Sequence, residues 1–210
     1  MRKGRLCVPM IALCLLLAAC GGEGGGSEAE ELALVIRGEY LAMTGCTAHM
    51  EVTADYGQRV YTYGIDLNWQ REGESTLTLT SPENVAGTTV RIQAGETWLD
   101  FDGVRVETGT LADSGLTPVG AAHTLLTCAR EGFLAECTLE TLDENRSLHV
   151  TSRDPEAGAG EGVETQLWFD AATHALLRGE ISSDGFTVLQ CEFTGFQMLP
   201  AESTSPSPAT

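Results

Sequence analysis

The sequence predicts a mainly β domain of the α+β class, an antiparallel sheet of about eleven strands with two helices, and three observations carry that reading. From Cys46 to Gly195 apolar and polar residues alternate with period two in short runs. Turn chemistry separates those runs roughly every ten residues, the spacing of hairpins and meanders. Helical spacing occurs in only two stretches.

The first element is a helix over 28–43, with Leu32, Val35, Ile36, Tyr40 and Met43 on one face and Gly45 as its stop. Strands follow. Cys46, Ala48, Met50 and Val52 alternate with Thr47, His49, Glu51 and Thr53, and Tyr61, Tyr63, Ile65, Leu67 and Trp69 alternate with polar neighbours. Leu77 and Leu79 sit between threonines, Val90 and Ile92 continue the phase, and 98–101 leads into Asp102-Gly103, a two-residue hairpin signal before Val104. The second helix opens on Thr117 as N-cap with Pro118 in the first helical position, where a missing N–H costs nothing. Its apolar stripe is Val119, Ala122, Leu125, Leu126 and Ala129, and Gly132 follows its end. Strands resume at 133–142, 146–153, 162–170, 175–182 and 186–195, with a polar Gly-rich loop over 154–162. One face of this sheet is apolar, so something must cover it.

The ends read differently. A basic start (Arg2, Lys3, Arg5), an apolar stretch from Cys7 to Ala19 too short to span a bilayer, and small residues before the break make residues 1–19 a secretory signal peptide. Leu17-Ala18-Ala19-Cys20 resembles the lipobox of bacterial lipoproteins, which implies cleavage before Cys20 and diacylation of its thiol. Residues 20–29, rich in Gly, read as a flexible tether, 30–198 as the folded domain, and 199–210, rich in Ser, Thr and Pro, as a disordered tail.

The chain of 210 residues has 12 basic and 30 acidic side chains, for a net charge of −18. Removing the signal peptide leaves nine basic residues, no lysine, and a charge near −21. Bulk electrostatic binding to nucleic acid or to an anionic membrane surface is thereby excluded, since such sites are built from clustered Lys and Arg. Hydrophobic residues at 42% exclude a disordered acidic tail. Four cysteines remain for the domain. Disulfides (Cys128 with Cys137 across a short loop, Cys46 with Cys191 from first strand to last), free buried thiols and a metal site are the alternatives. The metal use is disfavoured by the absence of any Cys-x-x-Cys pair, and no metal site is expected.

The order of elements, with Ser81-Pro82-Glu83 closing a strand, Gly87–Gln93, the Trp98–Gly103 hairpin, Leu116-Thr117-Pro118, and Leu167-Trp168-Phe169-Asp170 before 175–180, resembles the LolA/LolB-like lipoprotein-localisation family over residues 28–198. Within it the chain looks closest to the lipid-anchored germination-type lipoproteins of Gram-positive spore formers. The resemblance implies an open half-barrel with the second helix as a lid. It also implies a binding function, either for a lipid or acyl chain in the cavity or for another envelope protein such as a peptidoglycan-modifying enzyme.

No catalytic motif is present: no nucleophile elbow, no His-Glu-x-x-His, no phosphate-cradling loop, no dinucleotide fingerprint. No enzyme activity and no cofactor are expected. His49 and His149 fall on the polar phase of their strands, His174 lies in a turn, and His123 on the lid helix could reach the cavity. The expected cavity lining is Tyr61, Tyr63, Ile65, Leu67, Trp69, Leu77, Leu79, Val90 and Ile92 from the strands and Val119, Leu125 and Leu126 from the lid. The competing reading has these side chains packing against one another as ordinary core. The chain is expected to be extracytoplasmic, held at the outer face of the membrane by Cys20.

Overall fold

The structure is a computed structural model and describes residues 25–110 and 116–199. The signal peptide, Cys20, the start of the tether and the tail from residue 200 lie outside the described residues.

Helix α1 (Gly25–Ala42) is followed by β1 (Gly45–Asp55), β2 (Val60–Gln70), β3 (Ser75–Ser81), β4 (Thr89–Gln93), β5 (Glu96–Phe101) and β6 (Val104–Thr110). After α2 (Pro118–Glu131) come β7 (Leu134–Leu142), β8 (Asn145–Arg153), β9 (Val163–Asp170), β10 (Leu176–Ser183) and β11 (Phe186–Leu199). Each run of strands is an antiparallel meander. The two meanders join where β1 pairs with β11, giving the order β6-β5-β4-β3-β2-β1-β11-β10-β9-β8-β7. Strands β6 and β7 form the two edges, so the sheet curls into an open half-barrel.

Both helices lie on the apolar, concave face. Helix α1 packs on β7, β8 and α2, and α2 packs on β9, β10, β1 and β11. The core between them is formed by Met50, Ile65, Leu125, Leu126, Leu148, Leu167, Phe169, Leu176 and Ile181, all essentially inaccessible to water. Burying each such side chain contributes roughly 1.5–3 kcal/mol. The alternation read along β1 holds: Cys46, Ala48, Met50 and Val52 are buried, while His49 and Glu51 are exposed.

Two boundaries and one helix face differ from the sequence expectation. Helix α1 begins at Gly25, inside the segment read as tether, because helix propagation adds a backbone hydrogen bond per residue once the turn beyond it is formed. Its buried stripe is Ala29, Ala33, Ile36, Tyr40 and Met43, and Val35 is 52% exposed. The strict three-four spacing of the small alanines, not the larger Val35, defines the inward face. Strand β11 runs past Gly195 to Leu199, because Gly195, at φ +61°, forms a bulge opposite the step from Thr47 to His49 and lets pairing with β1 resume.

The cysteine pairings are corrected. All four described cysteines, Cys46, Cys128, Cys137 and Cys191, are free thiols. In the β1–β11 register Cys191 faces Val52 and Cys46 faces Met198. Six residues of strand, about 20 Å, therefore separate Cys46 from Cys191, far beyond disulfide reach. Cys128 is on α2 with the Ser152 and Thr165 hydroxyls beside its sulfur, whereas Cys137 lies on edge strand β7 in a groove shared with Glu30 and Leu34 of α1.

Candidate functional site

Helix α2 is held in place at both ends. Thr117, in extended conformation, accepts the Gly120 N–H on its Oγ1 at 3.1 Å, and Pro118 starts the first turn. At the far end the Gly132 N–H closes onto the Cys128 carbonyl at 2.8 Å, and Arg37 of α1 donates to the Gly132 carbonyl. The helix face against the sheet is Ala121, Ala122, Leu125, Leu126 and Ala129, small residues that allow close approach. Closest is Leu125 over Gly179 of β10, where a Cβ would lie 2.6 and 2.7 Å from the two Leu125 methyl carbons.

Two hollows flank this helix. Between α2 and the β2–β4 wall is a cavity of about 230 Å³, with Leu67, Trp69, Leu77 and Ile92 from the strands and Val119, Ala122, His123 and Arg130 from the helix; Gln70, Arg71, Gly73, Ser75, Ala94 and Gly95 complete it. On the opposite side of α2 is a wider mouth of about 820 Å³, where Thr124, Thr127, Cys128, Glu131 and Phe133 face Ser152, Arg153, Asp154, Pro155, Val163 and Thr165. His123 and Gly95 border both.

The twelve residues expected to line a cavity are thus divided. Leu67, Trp69, Leu77, Ile92 and Val119 line the smaller hollow. Ile65, Val90, Leu125 and Leu126 are buried in the core, and Leu79 is half-buried against it. Tyr61 and Tyr63 stack near one end of the sheet, 6.4 Å between ring centroids, with Tyr56 beside Tyr61. The concave apolar surface continues onto β5 and β6. Leu99 pairs with buried Val90 on one side and with Val106 on the other, and Phe101 pairs with Val104, so these residues share the concave face; Phe101, Val104 and Val106 are exposed on it. Sequence reasoning missed Arg130 and Arg71. The signal for Arg130 was available, because it stands four residues after Leu126 and eight after Ala122 on the helix face that turns inward.

The chemistry of the titratable groups is quiet. Burial raises the Cys46 thiol to about 12 and raises Cys128, Cys137 and Cys191 as well, so all four stay protonated at neutral pH. His49 meets Asp66 at 2.7 Å on the exposed face, and His174, at φ +61°, meets Glu39 at 2.8 Å. His149 stacks on Trp168 at 4.2 Å, with the Arg178 guanidinium over the same ring at 5.2 Å. On the convex face of the other half, Arg105 and Arg91 both bond Asp100 and hold its carboxyl down at about 2. Among the described residues no cluster of three or more His, Cys, Asp or Glu could hold a metal ion. No described helix is long and apolar enough to cross a membrane.

No protein-family model and no curated protein matches the sequence. Solved structures do match. LprF from Mycobacterium bovis aligns at 17% identity over 89% of this chain and 99% of its own, with a TM-score of 0.49. A LolA superfamily protein from Nitrosomonas europaea aligns at 12% identity over 82% and 94%, with a TM-score of 0.42. A chain of the complex between the CwlD amidase and the GerS lipoprotein of Clostridioides difficile aligns at 15% identity over 80% and 94%, with a TM-score of 0.40. Of these three structures, the one from Nitrosomonas europaea bears the name of the LolA superfamily.

Proposed function

We propose that this chain is an extracytoplasmic lipoprotein, anchored to the membrane through Cys20, whose half-barrel holds a hydrophobic ligand, a lipid or acyl chain, without chemical turnover. The observation that carries this reading is the hollow beneath α2, which is walled by Leu67, Leu77, Ile92 and Val119. Each methylene buried there contributes about 0.8 kcal/mol, so an acyl chain is held without any reacting group. Native mass spectrometry of the exported full chain carrying Cys20→Ser tests it. A retained acyl or phospholipid mass, released by organic solvent and lost in Leu67→Glu, is the expected result; a ligand-free spectrum refutes it. Incorporation of a labelled fatty acid into the wild-type chain and not into Cys20→Ala tests the anchor.

A second reading, docking of another envelope protein, has its own observation. Leu34, Val35 and Leu41 form an exposed apolar ridge along the outer side of α1. If that ridge is an interface, Leu34→Glu and Val35→Glu abolish cross-linking to the partner on native membranes while leaving the fold and any bound lipid unchanged.

A further inference from the structure

The domain's nine arginines are unequally matched. Among the described residues Arg91, Arg105, Arg146, Arg153 and Arg178 all bond carboxylates within 3.0 Å or in paired contacts on the sheet surface or its rim. Arg130 differs. Its side chain is only 17% exposed, its one carboxylate contact is the exposed neighbour Glu131 at 3.4 Å, and its Nε is buried with no hydrogen-bond partner. The guanidinium lies 5.6 Å from the Trp69 ring centroid and borders the 230 Å³ hollow. Arg71 borders the same hollow, committed to the Leu41 and Tyr40 carbonyls at the end of α1, and His123 borders it from the lid. Among the described residues no Asp or Glu lines that hollow, in a chain whose acidic side chains outnumber its basic ones 30 to 12. Chance placement would put carboxylates there before guanidinium groups. The result is a hollow with guanidinium groups and, among the described residues, no carboxylate on a wall otherwise made of apolar residues with Gln70, Ser75 and His123.

We propose that this hollow selects an acyl chain with an anionic head, a carboxylate or a phosphate, with Arg130 as the group that takes the head; this rests on the lipid-holding reading above. The head sits at the Arg130 end, where the guanidinium fork offers donors to two oxygens, and the tail lies along Leu67, Leu77, Ile92 and Val119. Partial exclusion of water strengthens the ion pair relative to one on the open surface.

Calorimetric titration of the full chain carrying Cys20→Ser, with decanoate, decyl phosphate, decan-1-ol and inorganic phosphate as probes, tests this. The expected result is that both amphiphilic anions bind about tenfold or more tighter than the alcohol, with inorganic phosphate far weaker than decyl phosphate. Whichever of decanoate and decyl phosphate binds tighter names the head. In Arg130→Met the two anions fall to the alcohol's affinity and the alcohol is unmoved, while Arg130→Lys recovers part of the preference. Equal binding of alcohol and anions, or an equal loss for all three in Arg130→Met, overturns the head-group assignment and leaves the lipid-holding reading intact. Inorganic phosphate binding as tightly as decyl phosphate overturns it too, leaving a bare anion site. Failure of every amphiphile to bind defeats both readings together.

Discussion

Substitution of Gly179 by alanine sets two effects of opposite sign against each other. Gly179 does not have a left-handed backbone, so a methyl group there restricts the unfolded chain and, with open space above it, would stabilise the fold by roughly 0.4–1 kcal/mol. The space is not open. The new Cβ would lie 2.6 and 2.7 Å from the two Leu125 methyl carbons and 3.1 Å from its Cγ. Ordinary carbon contacts lie near 3.5–4.0 Å, so the overlap is about 1 Å. Leu125 is fully buried in α2, so relieving the overlap displaces its packed neighbours or lifts the helix from β10. Overpacking of this kind costs about 1–3 kcal/mol and dominates the entropic gain. Gly179→Ala should therefore lower the urea midpoint with an unchanged slope, and lower Tm by roughly 2–10 °C for a domain of this size. Leu125→Ala alone should cost about 2–5 kcal/mol. In that background Gly179→Ala has room for its methyl and should become neutral or stabilising, a coupling of at least about 1 kcal/mol across the cycle. A stabilising Gly179→Ala in the wild-type background, or strict additivity of the two changes, would show that α2 does not rest on Gly179.

Three further outcomes are expected. Asp100 is held at about 2 by Arg105 and Arg91, below its unfolded value near 3.9, so its contribution is present above about pH 4 and is lost as pH falls through about 2. Urea midpoints of wild type and Asp100→Asn should differ at pH 7, converge below pH 2, and approach one another in 1 M salt, because the site is exposed. Thiol labelling of the native chain should spare Cys46 and Cys191 and reach Cys137 first, with Cys46, Cys128, Cys137 and Cys191 all modified in denaturant without reductant; protection of a pair under those conditions would mean a disulfide. Thr117→Ala removes the acceptor for the Gly120 N–H and should cost about 1 kcal/mol, whereas Thr117→Ser should cost little, as read from Tm.

What the sequence determined by itself were the locally encoded features. Alternation along 46–54 and 65–69, the Asp102-Gly103 turn with φ of +47° and +78°, and the Thr117-Pro118 helix start each depend on neighbouring residues, and the structure contains them all, whereas Tyr61 at the start of β2 is exposed. The number of strands and the two helices followed from the same local rules. What only the tertiary structure decided was everything set by long-range register. The β1–β11 pairing places Cys191 opposite Val52 and thereby separates it from Cys46, although nothing near either cysteine encodes that offset. The division of the apolar strand faces is of the same kind: Ile65 lies under the lid as core, whereas Leu67, two residues on, borders a hollow, because α2 crosses a curved sheet and cannot touch it everywhere. Arg130 shows the limit most directly. Its position on the inward face of α2 was legible, but the absence of carboxylates among the described residues of the hollow depends on strands 38 to 63 residues distant, and only folding brings those together.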